Sequence, residues 1–168
     1  ITKLPDNLIE VGGYLNLEGS QIESLGNLRI VKDTLELEKT PIQSLGNLQK
    51  VGGFLWLENT PIESLGNLRF VGESLWLDNT PLKSLGNLQT VKGSLVLQNT
   101  PIESLGNLYF VGESLYLQDT LIESLGNLQF VGGNLYLRNT PLSKKYSRKE
   151  ILQMIKDKGI KARNGIIM

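Results

Sequence analysis

The sequence predicts a solenoid: a stack of short coils, each giving one strand to a single parallel β-sheet, with a helix at the C-terminal end. Three observations predict it. The run from Val51 to Leu68, read Val-Gly-Gly-Phe-Leu-Trp-Leu-Glu-Asn-Thr-Pro-Ile-Glu-Ser-Leu-Gly-Asn-Leu, returns with edits every 20 residues, and its last five letters stand at 24–28, 44–48, 64–68, 84–88, 104–108 and 124–128. A fixed period of that length marks stacked repeats. Within each copy the apolar letters hold while the rest drift: Ile22, Leu25, Leu28, Val31, Leu35 and Leu37 recur as Ile62, Leu65, Leu68, Val71, Leu75 and Leu77. Finally, 141–168 break the pattern and read as a helix.

In chain order, residues 1–20 form an edited first coil, with Leu4-Pro5-Asp6-Asn7-Leu8 in place of the later pentapeptide. About seven coils fill 1–142, and 143–168 form a basic cap. Leu35 and Leu37 sit two apart with Thr34, Glu36 and Glu38 between and beside them, which is the strand period. Stacked strands lie about 4.8 Å apart. The return path turns quickly: Gly26 and its copies permit unusual backbone, Pro41, Pro61, Pro81, Pro101 and Pro141 stop the strand, and Asn27 and its copies bond backbone groups. In the tail, Ser147-Arg148-Lys149-Glu150 is a capping box before Ile151, Leu152, Met154 and Ile155 at helical spacing, with Gly159 as the stop. That helix is expected to cover the open end of the stack. Residues 165–168 suit a short terminal strand.

Composition excludes several chemistries. There is no cysteine and no histidine, so thiolate catalysis, triads and the commonest zinc ligand are missing. A non-enzyme with no cofactor and no metal is expected. Lysine plus arginine and aspartate plus glutamate both total 17, yet 1–140 hold 9 basic and 15 acidic residues, and 141–168 hold 8 basic and 2 acidic. An acidic body carries a basic tail. The tail alone, without interleaved aromatics, argues poorly for a nucleic-acid partner. No apolar run spans a bilayer. The absence of cysteine and of a visible signal peptide favours the cytoplasm, with a removed leader ahead of Ile1 left open.

The run Leu55-x-Leu57-x-x-Thr60-x-Ile62-x-x-Leu65 resembles the leucine-rich repeat, with threonine where that family has asparagine. Its length is similar to the short repeats of bacterial and phage proteins, and Leu68-x-x-Val71-Gly72-x-x-Leu75-x-Leu77 resembles receptor L-domain repeats. The resemblance implies a binding scaffold whose concave sheet holds a protein. Its asparagine ladder would move to Asn27 and its copies or give way to threonine hydroxyl bonds.

Candidate binding residues are those the repeat does not need. One outward column reads Asn16, Glu36, Trp56, Trp76, Val96, Tyr116, Tyr136, and a neighbouring one carries Tyr14, Thr34, Phe54 and Ser74. Both tryptophans of the chain fall in one stripe. With Phe54 they form an apolar patch, and tryptophan and tyrosine dominate binding hot spots. The next column stacks Glu18, Glu38, Glu58 and Asp78, with Glu36 alongside. Stacked like charges repel. They imply a partner with a basic or mixed apolar and basic surface, or the basic tail of another copy. A homo-oligomer and a carbohydrate-binding solenoid are the alternatives. A further column, Ile30, Phe70, Phe110 and Phe130, either packs along the sheet edge or binds.

Overall fold

The computed structural model describes all 168 residues. Strands of two residues cannot stand alone, and here each is held by the coil before and the coil after. Every coil contributes two. In the first ladder Glu10–Val11, Ile30–Val31, Lys50–Val51, Phe70–Val71, Thr90–Val91, Phe110–Val111 and Phe130–Val131 pair in parallel, valine on valine. In the second, the strands run from Leu15–Asn16 through Leu55–Trp56 and Leu75–Trp76 to Asn134–Tyr136, leucine on leucine. The parallel solenoid stands as expected, but one strand per coil becomes two, in two eight-stranded sheets. A bend at residues such as Gly52 and Gly53 divides them. Isolated parallel bridges at Lys3–Ser24, Ser44–Ser64 and Ser84–Ser104 mark the return side.

The fixed apolar columns all face inward. Ile22, Leu25, Leu28, Val31, Leu35 and Leu37 and their copies in the later coils belong to one core cluster of 42 residues, with the partly buried Leu8, Val11, Leu15 and Leu17 of the first coil packed against it. Each such side chain contributes about 1.5–3 kcal/mol of gross burial, collected only because the neighbouring coil covers it.

The turns use both ladders that the sequence left open. Threonine hydroxyls at 40, 60, 80, 100, 120 and 140 donate to the leucine carbonyl three residues earlier at 2.6–2.9 Å, within the coil. Asn47 Nδ2 and Asn87 Nδ2 donate to the Gly26 and Gly66 carbonyls of the preceding coil at 3.2 Å. A third series joins them: Lys39, Asn59, Asn79, Asn99, Asp119 and Asn139 hold φ of 56–58°. Asparagine and aspartate tolerate that left-handed backbone, while lysine does not share their local bonding. Asn79 Nδ2 donates to Asn59 Oδ1 at 3.1 Å, and Asn99 Nδ2 to Asn79 Oδ1 at 3.2 Å.

At the far end, helix α1 (Pro141–Lys145) leads into helix α2 (Arg148–Asp157). The expected capping box is present: Glu150 N–H donates to Ser147 Oγ, and Ser147 N–H donates to the Glu150 carboxylate at 2.7 Å. Ile151, Ile155, Ile160 and Ile166 join the core cluster, so the helix and tail cover the last coil. Lys161–Ala162 and Gly165–Ile167 then add the final rung to each sheet.

A Cβ on Gly112 would lie 1.9 Å from the Lys92 carbonyl oxygen, whereas Gly12 at the same repeat position has nothing within 4 Å. Gly112→Ala is expected to destabilise by at least about 2 kcal/mol in urea unfolding, and Gly12→Ala to stay within about 0.5 kcal/mol of wild type. Lys39→Asn relieves the left-handed backbone and is expected to stabilise by about 1 kcal/mol, outweighing the exposed Lys39–Glu18 pair, and a lower melting temperature would refute this.

Candidate functional site

Inward Leu35 and Leu37 force their neighbours out, and the second ladder repeats that alternation on every rung. Trp56 and Trp76 are half-exposed and lie outside the core cluster. Their indoles stack with centroids 4.0 Å apart and planes 10° from parallel, and Phe54, 38% exposed, leans in at 5.7 Å from Trp76. Tyr116 and Tyr136 form a second stack at 4.5 Å. Between the two stacks sits Val96, 8% exposed. The stripe is therefore two aromatic pairs with an open rung between them. Trp76 and Tyr116 stand two rungs, roughly 9.6 Å, apart. A depression of about 500 Å³ opens there, floored by Val96 and edged by Ser94, Asp78, Gln98 and Glu113.

Two expected outward residues turn in. Thr34 and Ser74 are buried, because each hydroxyl is covered by the following coil: Phe54 N–H donates to Thr34 Oγ1 at 3.2 Å, and Ser94 N–H to Ser74 Oγ at 2.9 Å.

The acidic column is assembled as read. Glu38, Glu58 and Asp78 occupy successive rungs, all half-buried. Burial pushes the Glu38 and Glu58 carboxyls above their ordinary 4.5, with neighbouring carboxylates adding to the shift. One oxygen of each, Oε2, is buried without a hydrogen-bond partner. Glu36 accepts from Asn16 Nδ2 at 2.8 Å. The ion pairs of the molecule are Lys3–Asp6, Lys32–Glu10 and Lys39–Glu18, so Glu36, Glu38, Glu58 and Asp78 are in none of them. Desolvated carboxylates next to aromatic rings are suited to a cationic or hydrogen-bond-donating group that replaces the lost water.

The phenylalanine column has its own sheet. Phe70, Phe110 and Phe130 are half-exposed on the outside of the first ladder. Phe110 and Phe130 stack at 4.8 Å and 7°. Lys50 and Lys92 both lie over Phe70, at 5.3 and 5.6 Å, and Arg163 of the tail lies over Phe130 at 5.5 Å. The sequence carried a signal for this face in Lys32 and Lys92, two residues after the phenylalanine column. It becomes readable only once the second ladder is known.

Fold and surface define the class: a parallel β-solenoid of twenty-residue coils with a helical C-terminal cover. Comparisons with protein-family models, with curated proteins and with solved structures find no match to this chain. No helix is long and apolar enough to cross a membrane.

The acidic column sets a pH dependence. A carboxyl whose folded pKa is raised destabilises the fold above that value and exerts no penalty below its unfolded value near 4.5. The combined Glu38→Gln and Glu58→Gln variant is therefore expected to melt above wild type at pH 7, with the gap closing as pH falls toward about 4. A gap that widens on acidification in thermal melts would contradict the assigned cause.

Proposed function

We propose that this chain is a non-enzymatic, leucine-rich-repeat-like module that binds a protein through the outer face of the second ladder. The observation that carries the reading is the Trp56/Trp76 stack with Phe54, half-exposed beside carboxylates that are in no ion pair. Large rigid rings bury much area at little entropic cost and serve as anchors. Glu36, Glu38, Glu58 and Asp78 would select a basic rim around the partner's apolar contact, while Tyr116 and Tyr136 extend the contact along the stack. The missing histidine and cysteine support binding over turnover. A second reading, sugar recognition, is favoured by one feature: the gap over Val96, walled by Trp76 and Tyr116 and edged with carboxylates and an amide, suits a pyranose ring.

Peptides selected from a random library on the wild-type chain test the main reading. They are expected to combine aromatic or aliphatic residues with arginine or lysine. Binding should weaken about thirtyfold or more in the Trp56→Ala, Trp76→Ala double variant, with the melting temperature lowered only slightly. Selected peptides that bind the variant equally well would sink the reading. Quenching of tryptophan fluorescence by soluble glycans, with no basic peptides recovered, would replace it by the second.

A further inference from the structure

Net charge is zero over the whole chain, but the two sheets do not share it evenly. Around the outside of the first ladder lie Arg29, Lys50, Arg69, Lys92, Lys161 and Arg163, all exposed. None of the six is in an ion pair, and the one acidic residue of that ladder, Glu10, is held by Lys32 at 2.7 Å. The tail strand is what completes the face. Lys161 pairs with Phe130 in register, which carries Arg163 over the Phe130 ring. Basic tail and aromatic column, separate in sequence, meet on one surface.

The aromatic geometry is that of a stacking platform. Phe110 and Phe130 lie 7° from parallel, with their faces directed along the stack of coils. Phe130 is covered on one side by Arg163 and on the other by Phe110. Phe70 has Lys50 from the coil before and Lys92 from the coil after. The uncovered aromatic face is that of Phe110 toward Thr90, the small residue on the rung below. A separate depression of about 390 Å³ lies beside Phe110 and Phe130, with Lys158 and Lys161 on its rim.

We propose that the outer face of the first ladder binds single-stranded nucleic acid. A base stacks on Phe110 over Thr90, and the phosphates follow Lys92 on one side and Lys158, Lys161 and Arg163 on the other. Every base has a π-face, so this recognition is tolerant of sequence and combines stacking with backbone charge. The surface is distinct from the acidic aromatic face of the second ladder, and the two readings stand or fall separately.

Fluorescence anisotropy of a labelled oligothymidylate with the full chain tests it. Binding is expected with a salt slope of about −3, corresponding to roughly four phosphate contacts. Phe110→Ile with Phe130→Ile should weaken it about tenfold while leaving the affinity for heparin, a polyanion without bases, unchanged. Isoleucine already occupies this repeat position at Ile30, so the variant retains a residue the coil accepts. Lys161→Gln with Arg163→Gln should weaken both polyanions and make the slope shallower by about 1.4. No binding at 50 mM salt, or binding insensitive to the phenylalanine changes, would overturn the proposal. So would light scattering that shows self-association through this face, lost in Lys161→Gln with Arg163→Gln, with no affinity for the oligonucleotide.

Discussion

Backbone hydrogen bonds between residues one coil apart hold the molecule together. Leu35 N–H donates to the Phe54 carbonyl at 2.9 Å, Leu55 to Ser74 at 3.1 Å, Leu75 to Ser94 at 2.9 Å and Leu95 to Ser114 at 3.0 Å. Because strand side chains alternate, a coil with one residue more or fewer would turn its leucines outward. The bonds therefore fix the coil length, the coil length fixes the inward columns, and the inward columns supply the burial. The same close approach leaves no volume for a Cβ at four of the bends. Gly52, Gly72, Gly112 and Gly132 each lie where a Cβ would fall within 2.0 Å of a carbonyl oxygen in the coil before.

At the adjacent bend position the structural unit is two coils. The column reads Gly13, Asp33, Gly53, Glu73, Gly93, Glu113, Gly133. After each acid comes a hydroxyl, Thr34, Ser74 or Ser114, which accepts the N–H of Phe54, Ser94 or Asn134 from the next coil. A Cβ on Gly53, Gly93 or Gly133 would sit 2.7, 2.5 or 2.4 Å from those same hydroxyl oxygens. The hydroxyl occupies the space that the next glycine leaves. That exchange explains the alternation, and it explains why Thr34 and Ser74 are buried although the strand period would turn them out.

Much of this architecture was legible in the letters because packing leaves the core columns no freedom. Leu, Ile and Val held at one spacing reveal the period, the inward face and hence the outward placement of Trp56 and Trp76. The first ladder was harder to read. A strand of two residues, Phe110–Val111 for example, has one outward and one inward side chain and no alternation to detect. Its support comes from other coils rather than from local propensity. The asparagine series at 59, 79 and 99 was hidden for a different reason, since its meaning depends on a positive φ that only the completed turn imposes. The cover at the C-terminal end was readable in detail because the capping box is local chemistry. The pairing of Lys161 with Phe130 is not local and left no pattern.

Stacking also organises the surface, through the same rule that builds the core. Side chains at one repeat position lie above one another at about 4.8 Å, so any bias in a column becomes a continuous stripe. Inward columns are held to apolar residues by burial, and outward columns are free to diverge. In the second ladder they have diverged toward tryptophan, tyrosine and half-buried glutamate, and in the first toward phenylalanine with lysine and arginine. Like charges in a column repel, so the arrangement contributes nothing to folding. Cations drawn onto the Phe70 and Phe130 rings offset that repulsion on one face, while Glu38 and Glu58 on the other retain a desolvated oxygen without a partner. A zero total charge thus conceals two aromatic faces of opposite sign on one rigid stack.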